Sequence, residues 1–135
     1  MLRLVAALIG GSIVAVVLCL STPVSADDKS MSIEDIMKKL HGKTGSHKQI
    51  NKALDGTPDW DTITKHAKIY ADLAGMLPKA KPEKGDDKSW KMLSEAYAKE
   101  AKALNEAAAK KDADTVKTVF GRLKESCDGC HENHR

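Results

Sequence analysis

The sequence predicts an all-α protein, an up-down-up-down four-helix bundle. Three observations carry this expectation. There is no alternating run of β-branched residues and no nucleotide-binding glycine motif. Apolar residues recur at helical spacing in four stretches, and clusters of breaker residues separate them by mostly short links. A length of 135 residues suggests one domain.

The first helix starts after Ser32. "SIED" reads as a capping box, with Ser32 as N-cap and Asp35 three residues on, and Ile33, Ile36, Met37 and Leu40 form a stripe at helical spacing. "HGKTG" breaks it, and "SHKQINKALDG" follows as a shorter turn. The second helix opens at "TPDW", with Thr57 as N-cap, Pro58 in the first position and Asp59 in the first turn. Trp60, Ile63, Ala67, Tyr70 and Leu73 lie on one face of it, and Pro78 ends it. "PKAKPEKGDDK" is the clearest loop. The third helix runs over 88–111, with Trp90, Leu93, Tyr97, Ala101, Leu104 and Ala108 facing inward, and the fourth runs from 112–114 to the C-terminus.

The N-terminal stretch "MLRLVAALIGGSIVAVVLCLSTPVSA" is set apart from the fold. Arg3 gives it a positive start, an apolar run follows, and Val24, Ser25 and Ala26 present small side chains at its end. It reads as a secretory signal peptide over 1–26, cleaved after Ala26, with the domain in 27–135. Gly10, Gly11, Ser12 and the cleavage site argue against an uncleaved membrane anchor. Leu18 is too large a neighbour for lipidation of Cys19. Removing Arg3 takes the formal charge from +3 to +2, mild and spread out, which argues against a nucleic-acid partner. Export places the chain in the periplasm, where two cysteines become a disulfide, bind metal or are consumed covalently.

The chain ends in "ESCDGCHENHR". On a wheel of about 100° per residue, Val116, Phe120, Leu123, Cys130 and His131 all fall within about 60° of Cys127. Both cysteines and the histidine therefore continue the apolar stripe toward the bundle core. Cys127, Cys130 and His131 make the C-x-x-C-H pattern of haem attachment, in which each thiol adds to a haem vinyl group and the imidazole reaches the iron. A thioredoxin-like redox pair would need a βαβ setting. Structural zinc would draw on Cys127, Cys130, His131 and His134, but four ligands within two turns of one helix surround a tetrahedral ion poorly. With one Phe, two Trp and two Tyr, the chain is lean in large apolar residues, and a buried haem would supply apolar volume.

With this ending, the chain resembles the class II c-type cytochromes, the cytochrome c′ group. "CDGCHENHR" is similar to that group's ending, where an aromatic and then a basic residue follow the haem motif; here His134 and Arg135 stand there. "GDDKSW" is also similar. The resemblance spans the mature chain. It implies one covalent haem c on Cys127 and Cys130, with His131 as proximal iron ligand. It further implies a redox partner protein and a homodimer through the first two helices. No base or nucleophile constellation indicates an enzyme.

The group divides at the other face of the iron. Some members leave it open and bind NO or CO; others place a methionine there from the first helix and carry electrons. Met37 matches that methionine, and His41, one turn on, shares its face and offers bis-histidine iron. The reading is a periplasmic monohaem electron carrier with Met37 as distal ligand. His41 as ligand, or an open, gas-binding site, is the alternative. Phe120, Leu123 and Trp90 are expected as haem walls, and Arg135 as a charge near a propionate or the proximal imidazole. Met76 and Met92 are expected as core filler, His47 as solvated in a Lys-rich loop and His66 as exposed. Lys79, Lys81, Lys84 and Lys88 are expected as a solvated loop or a docking patch for an acidic partner.

Overall fold

The computed structural model describes residues 31–135; the expected signal peptide lies outside them. Ser32 opens α1 (Ile33–His41). Its hydroxyl accepts the Asp35 amide at 3.1 Å, the N-cap half of the expected capping box, while the Asp35 carboxylate takes the Ser32 hydroxyl at 2.9 Å. α1 buries Ile36 and Leu40 and then stops. At Gly45 the chain returns against the helix end so closely that a Cβ would lie 2.6 Å from the Leu40 carbonyl oxygen. Only glycine fits there. The segment after it, expected as a turn, is a helix, α2 (Ser46–Ala53), which buries Ile50 and Ala53. The first rod of the bundle is thus two short helices. Both are shorter than the ~12–15 residues that an isolated helix needs in water, so packing holds them.

α3 (Trp60–Ala74) starts later than expected. Its cap is Asp59 and not Thr57: the Asp59 carboxylate accepts the Thr62 amide at 3.2 Å and the Thr62 hydroxyl at 2.7 Å. A carboxylate outcompetes a hydroxyl as acceptor for amides at the positive helix end, which moves the boundary past Pro58. α3 ends at Ala74, and Pro78 lies in a 3-10 turn, Leu77–Lys79, that buries Leu77. α4 (Asp87–Ala109) is capped by Asp86, and α5 (Ala113–His134) by Asp112. Lys111 takes a left-handed φ of 55° in the turn between them.

That turn fixes the register. The Arg122 guanidinium meets the Glu100 carboxylate at 2.8 Å, and Ser89 meets His134 at 3.2 Å. Both pairs are spaced evenly about residue 111, so α4 and α5 are antiparallel and the last turn of α5 lies beside the first turn of α4. Tyr70 and Tyr97 pair across α3 and α4 in the same antiparallel sense. The result is a four-helix bundle whose first helix is broken. Among the described residues there is no strand, and no helix is long and apolar enough to cross a membrane.

Ile36, Leu40, Ile50, Ile63, Tyr70, Leu104 and Leu123 lie at the centre with no exposed surface. Each such aliphatic side chain contributes about 1.5–3 kcal/mol by leaving water. The exposed ion pair of Lys38 and Glu34 adds little beside them. Two expectations are corrected here. Met76 is 43% exposed and Met92 65% exposed, so neither fills the core. Met76 lies past the end of α3, and Met92 is two residues from Trp90, on the opposite side of α4.

Candidate functional site

The apolar stripe of α5 runs through Val116, Val119, Phe120 and Leu123 and then fades. Cys127 and Cys130 are half-buried and His131 is exposed, so the burial expected for the whole motif stops short of the histidine. α5 packs chiefly on α4, while α1 and α2 reach it only at isolated side chains such as His47 against Phe120.

The two thiols are free. Cys127 donates to the Leu123 carbonyl at 3.4 Å. Burial pushes both thiols up from their ordinary value, with Asp128 adding to the effect on Cys127 and Cys127 to that on Cys130. They are therefore protonated at neutral pH.

Across from them, α3 and α4 present Tyr70 and Tyr97, whose hydroxyls hydrogen-bond to each other. Both lie in the electrostatic field of Cys127, and Tyr97 also in that of Cys130. Burial drives both phenols far above their ordinary value, so both keep their proton. They converge on one atom: His41 Nε2 lies 2.9 Å from the Tyr97 hydroxyl and 3.3 Å from that of Tyr70. His41 is exposed, with the tyrosines and His47 against its ring. Burial, then His47 and His131, push its pKa down to about 4. It is a neutral imidazole at pH 7, with Nε2 turned toward the two tyrosine hydroxyls.

His47 corrects another expectation. It lies on α2 and not in a loop, with its ring 4.6 Å from Phe120 and 5.2 Å from His41. Its Nδ1 is buried with no hydrogen-bond partner. Burial and then Lys124 lower its pKa. His66 also departs from expectation: it is half-buried, with Nδ1 at 3.2 Å from the Ser46 hydroxyl, which pins the start of α2 to α3.

The other expected residues separate. Phe120 and Leu123 are buried on α5, one to two turns before Cys127. Met37 is partly buried against the apolar core, one turn before His41. Trp90 is buried on the first turn of α4, and its indole N–H donates to the Leu77 and Ala80 carbonyls at 3.1 and 2.8 Å. It thereby holds the loop. Its contact to α5 is with His134, edge-on at 5.4 Å. His134 donates from Nδ1 to the Lys84 carbonyl at 3.0 Å and accepts at Nε2 from Ser89, so it clasps the loop rather than the motif. Arg135 is exposed.

Could these residues hold a bare metal ion? Among the described residues no three His, Cys, Asp or Glu side chains converge as a metal cage. They do suit a flat group. Two free thiols sit at i, i+3 on the inner edge of one helix, and neutral imidazole and hydroxyl groups stand across from them. A buried histidine nitrogen beside them lacks a partner. That donor set fits a haem bonded at one edge. The sequence singled out His41 but gave His47 no role and read Tyr70 and Tyr97 only as positions on the apolar faces of their helices. The signal for His47 was present in "GSHKQI", where glycine and serine precede a His47, Ile50, Leu54 stripe.

Comparison with known proteins agrees with this geometry. No curated protein matches the chain. Among solved structures, cytochrome c′ from Thermochromatium tepidum is similar to it in fold, with a TM-score of 0.56 at 23% identity, over 67% of this chain and 82% of that one. Residues 33–135 match the sequence profile of the family described as cytochrome c′. The chain therefore belongs to the cytochrome c′ family, whose members carry one covalent haem c, with Cys127 and Cys130 in the position typical of its attachment.

Proposed function

We propose that the protein is a periplasmic electron carrier whose haem c is bonded through Cys127 and Cys130. In this reading His131 is the proximal iron ligand and α1 closes the sixth position. The family supports the single haem c and an exported setting, since its members are typically periplasmic and generally not enzymes. Cleavage after Ala26, leaving 27–135, fits that setting.

The bound haem supplies a one-electron iron couple. The rest falls to the chain. Each protonated thiol carries the S–H that adds across a vinyl group, forming one S–C and one C–H bond with no other reactant. α5 is capped by Asp112 at its start, and His134 ties its last turn to the loop before α4, so both thiols lie on one edge of a continuous helix. The exposure of His131 favours an electron path to a protein partner through the C-terminal end of the bundle. The observation that supports the six-coordinate reading lies on α1, where Met37 is partly buried against the core and His41, one turn on, has Nε2 at 2.9 Å from the Tyr97 hydroxyl. With haem bound, either donor would close the iron to gases.

The test is optical spectroscopy of the purified haem protein. Low-spin spectra in both oxidation states that ignore CO over minutes are expected. A five-coordinate high-spin spectrum that shifts at once on adding CO or NO would establish the gas-binding alternative instead. Size-exclusion measurements report whether two copies pair through the α1 and α2 side.

A further inference from the structure

The small positive charge of the chain is unevenly placed. Between residues 36 and 54 stand five lysines, Lys38, Lys39, Lys43, Lys48 and Lys52, and no aspartate or glutamate. This stretch is most of the broken first rod, α1 with α2. Facing α2, the helix α5 adds Lys117 and Lys124. We infer that the groove between α2 and α5 is the docking site of an acidic protein partner, whose carboxylates seat between Lys117, Lys124 and the lysines of α2. This rests on the electron-carrier reading above and specifies the partner's chemistry and the face it uses.

The groove follows from the fold. α2 meets α5 through His47, whose ring lies 4.6 Å from that of Phe120. Beside this contact is a cleft of about 440 Å³. Asn51 and Asp55 line it from one side and Lys117, Gly121 and Lys124 from the other, with the buried Phe120 at its base. A Cβ on Gly121 would meet no atom within 4 Å, so the space over the α5 backbone is open. Lys48 lies one turn before Asn51, and Lys52 lies next to it; both are exposed and extend the positive rim. Among the described residues Lys48, Lys52, Lys117 and Lys124 form no ion pair, whereas Lys38 is held by Glu34 at 2.7 Å. Asp55 is the one acid that lines the cleft.

Charge and shape select the occupant. A second copy, paired through the first two helices, would set one lysine-rich rod against another, and like charges facing across an interface oppose it. A membrane surface calls for apolar side chains that insert. Among the described residues the exposed large apolar ones are Met76 and Met92, past the end of α3 and on α4, away from this face. A concave, positive groove is instead complementary to acidic side chains that stand out from a protein. It also leads to the haem-attachment motif. Lys124 is one turn before Cys127, a spacing that puts Cβ atoms about 5–6 Å apart. Charge on one face speeds encounter more than it tightens the complex, which suits a carrier that must release its partner after each transfer.

The experiment uses the exported, haem-bearing protein, with fluorescent deca-glutamate as the acidic probe and anisotropy as the readout. The wild type should bind the peptide at low salt and release it as salt rises. Lys117→Gln with Lys124→Gln should weaken binding about three- to tenfold, while Lys79→Gln with Lys84→Gln, which removes the same charge from the loop before α4, should change it less than about twofold. All four lysines are exposed, so both double variants keep the wild-type circular dichroism. Excess peptide should also slow oxidation of the reduced protein by hexacyanoferrate(III), an anion that seeks the same face. Equal weakening by the two pairs would overturn the groove, because net charge alone would then carry binding. Peptide binding that leaves the oxidation rate unchanged would overturn docking beside the motif. So would phosphatidylglycerol vesicles that bind the protein where deca-glutamate does not, or a homodimer on sedimentation that excludes the peptide. Failure of the electron-carrier reading looks different: a high-spin protein that takes CO at once yet still binds the peptide in the groove.

Discussion

Replacing Gly85 by alanine strikes the clasp that ties the end of α5 to the loop before α4. Gly85 holds a φ of +87°, a conformation that costs an L residue about 1–2 kcal/mol. The added Cβ would lie 2.3 Å from His134 Nδ1 and 2.5 Å from the Asn133 carbonyl oxygen. The ring can swing away, but the carbonyl belongs to the helix backbone and cannot. Swinging the ring gives up its hydrogen bonds to Lys84 and Ser89, each worth about 0.5–1.5 kcal/mol and nearer the lower figure where water reaches. Together these amount to about 2–4 kcal/mol. At ~4–8 °C per kcal/mol for a domain of this size, the melting temperature falls by at least ~8 °C. Thermal unfolding followed by circular dichroism, with haem attached, reads this directly. His134→Ala alone loses the bonds without the strain and costs about 1–2 kcal/mol. The double variant should be less damaged than the sum, because one of the two collisions has gone, yet worse than His134→Ala, because the Asn133 carbonyl and the φ remain. A Gly85→Ala protein that melts with the wild type, or a strictly additive double variant, would refute the docking of this loop on α5.

Two further outcomes follow from the packing. Leu40 is fully buried and is one of two buried residues on α1, so Leu40→Ala should cost about 2–5 kcal/mol. Because α1 stands by packing alone, hydrogen exchange should speed up in α1 and α2 before α4 and α5; uniform loss of protection would count against this. Stability should also fall as the pH drops below about 6.5, the ordinary value for histidine. Burial, then Lys65, hold His66 below that value in the fold, so in the window beneath it the unfolded chain takes up a proton that the folded chain refuses, and unfolding is favoured. Above that window His66 is neutral in both states and contributes no slope. His66→Gln should flatten the acid limb of the stability curve measured by urea titration, and an unchanged limb would count against the assignment.

Much of the fold was readable because the rods are built from regular signals. The stripe of Ile63, Ala67, Tyr70 and Leu73 and that of Trp90, Ala101, Leu104 and Ala108 appear buried where the period places them. What misled was competition at the ends. Thr57 and Asp59 are both good caps, and local sequence does not rank them; the carboxylate won because it could satisfy both the amide and the hydroxyl of Thr62. Met92 misled for another reason. Hydrophobicity alone suggested burial, but it stands two residues, about 200° of turn, from the buried Trp90.

The site divides along a similar line. The burial of Phe120 and Leu123 and the half-burial of Cys127 and Cys130 were legible because these residues share one helix and a wheel relates positions within it, whereas the wheel also turned His131 inward and it is exposed. The other side was not, because Gly42 and Gly45 break the phase between α1 and α2, and no wheel carries across such a break. His47 therefore read as part of a Lys-rich loop, although it stacks between His41 and Phe120. The same break makes His41 the last residue of its helix, where its ring meets His47 on α2, Tyr70 on α3 and Tyr97 on α4.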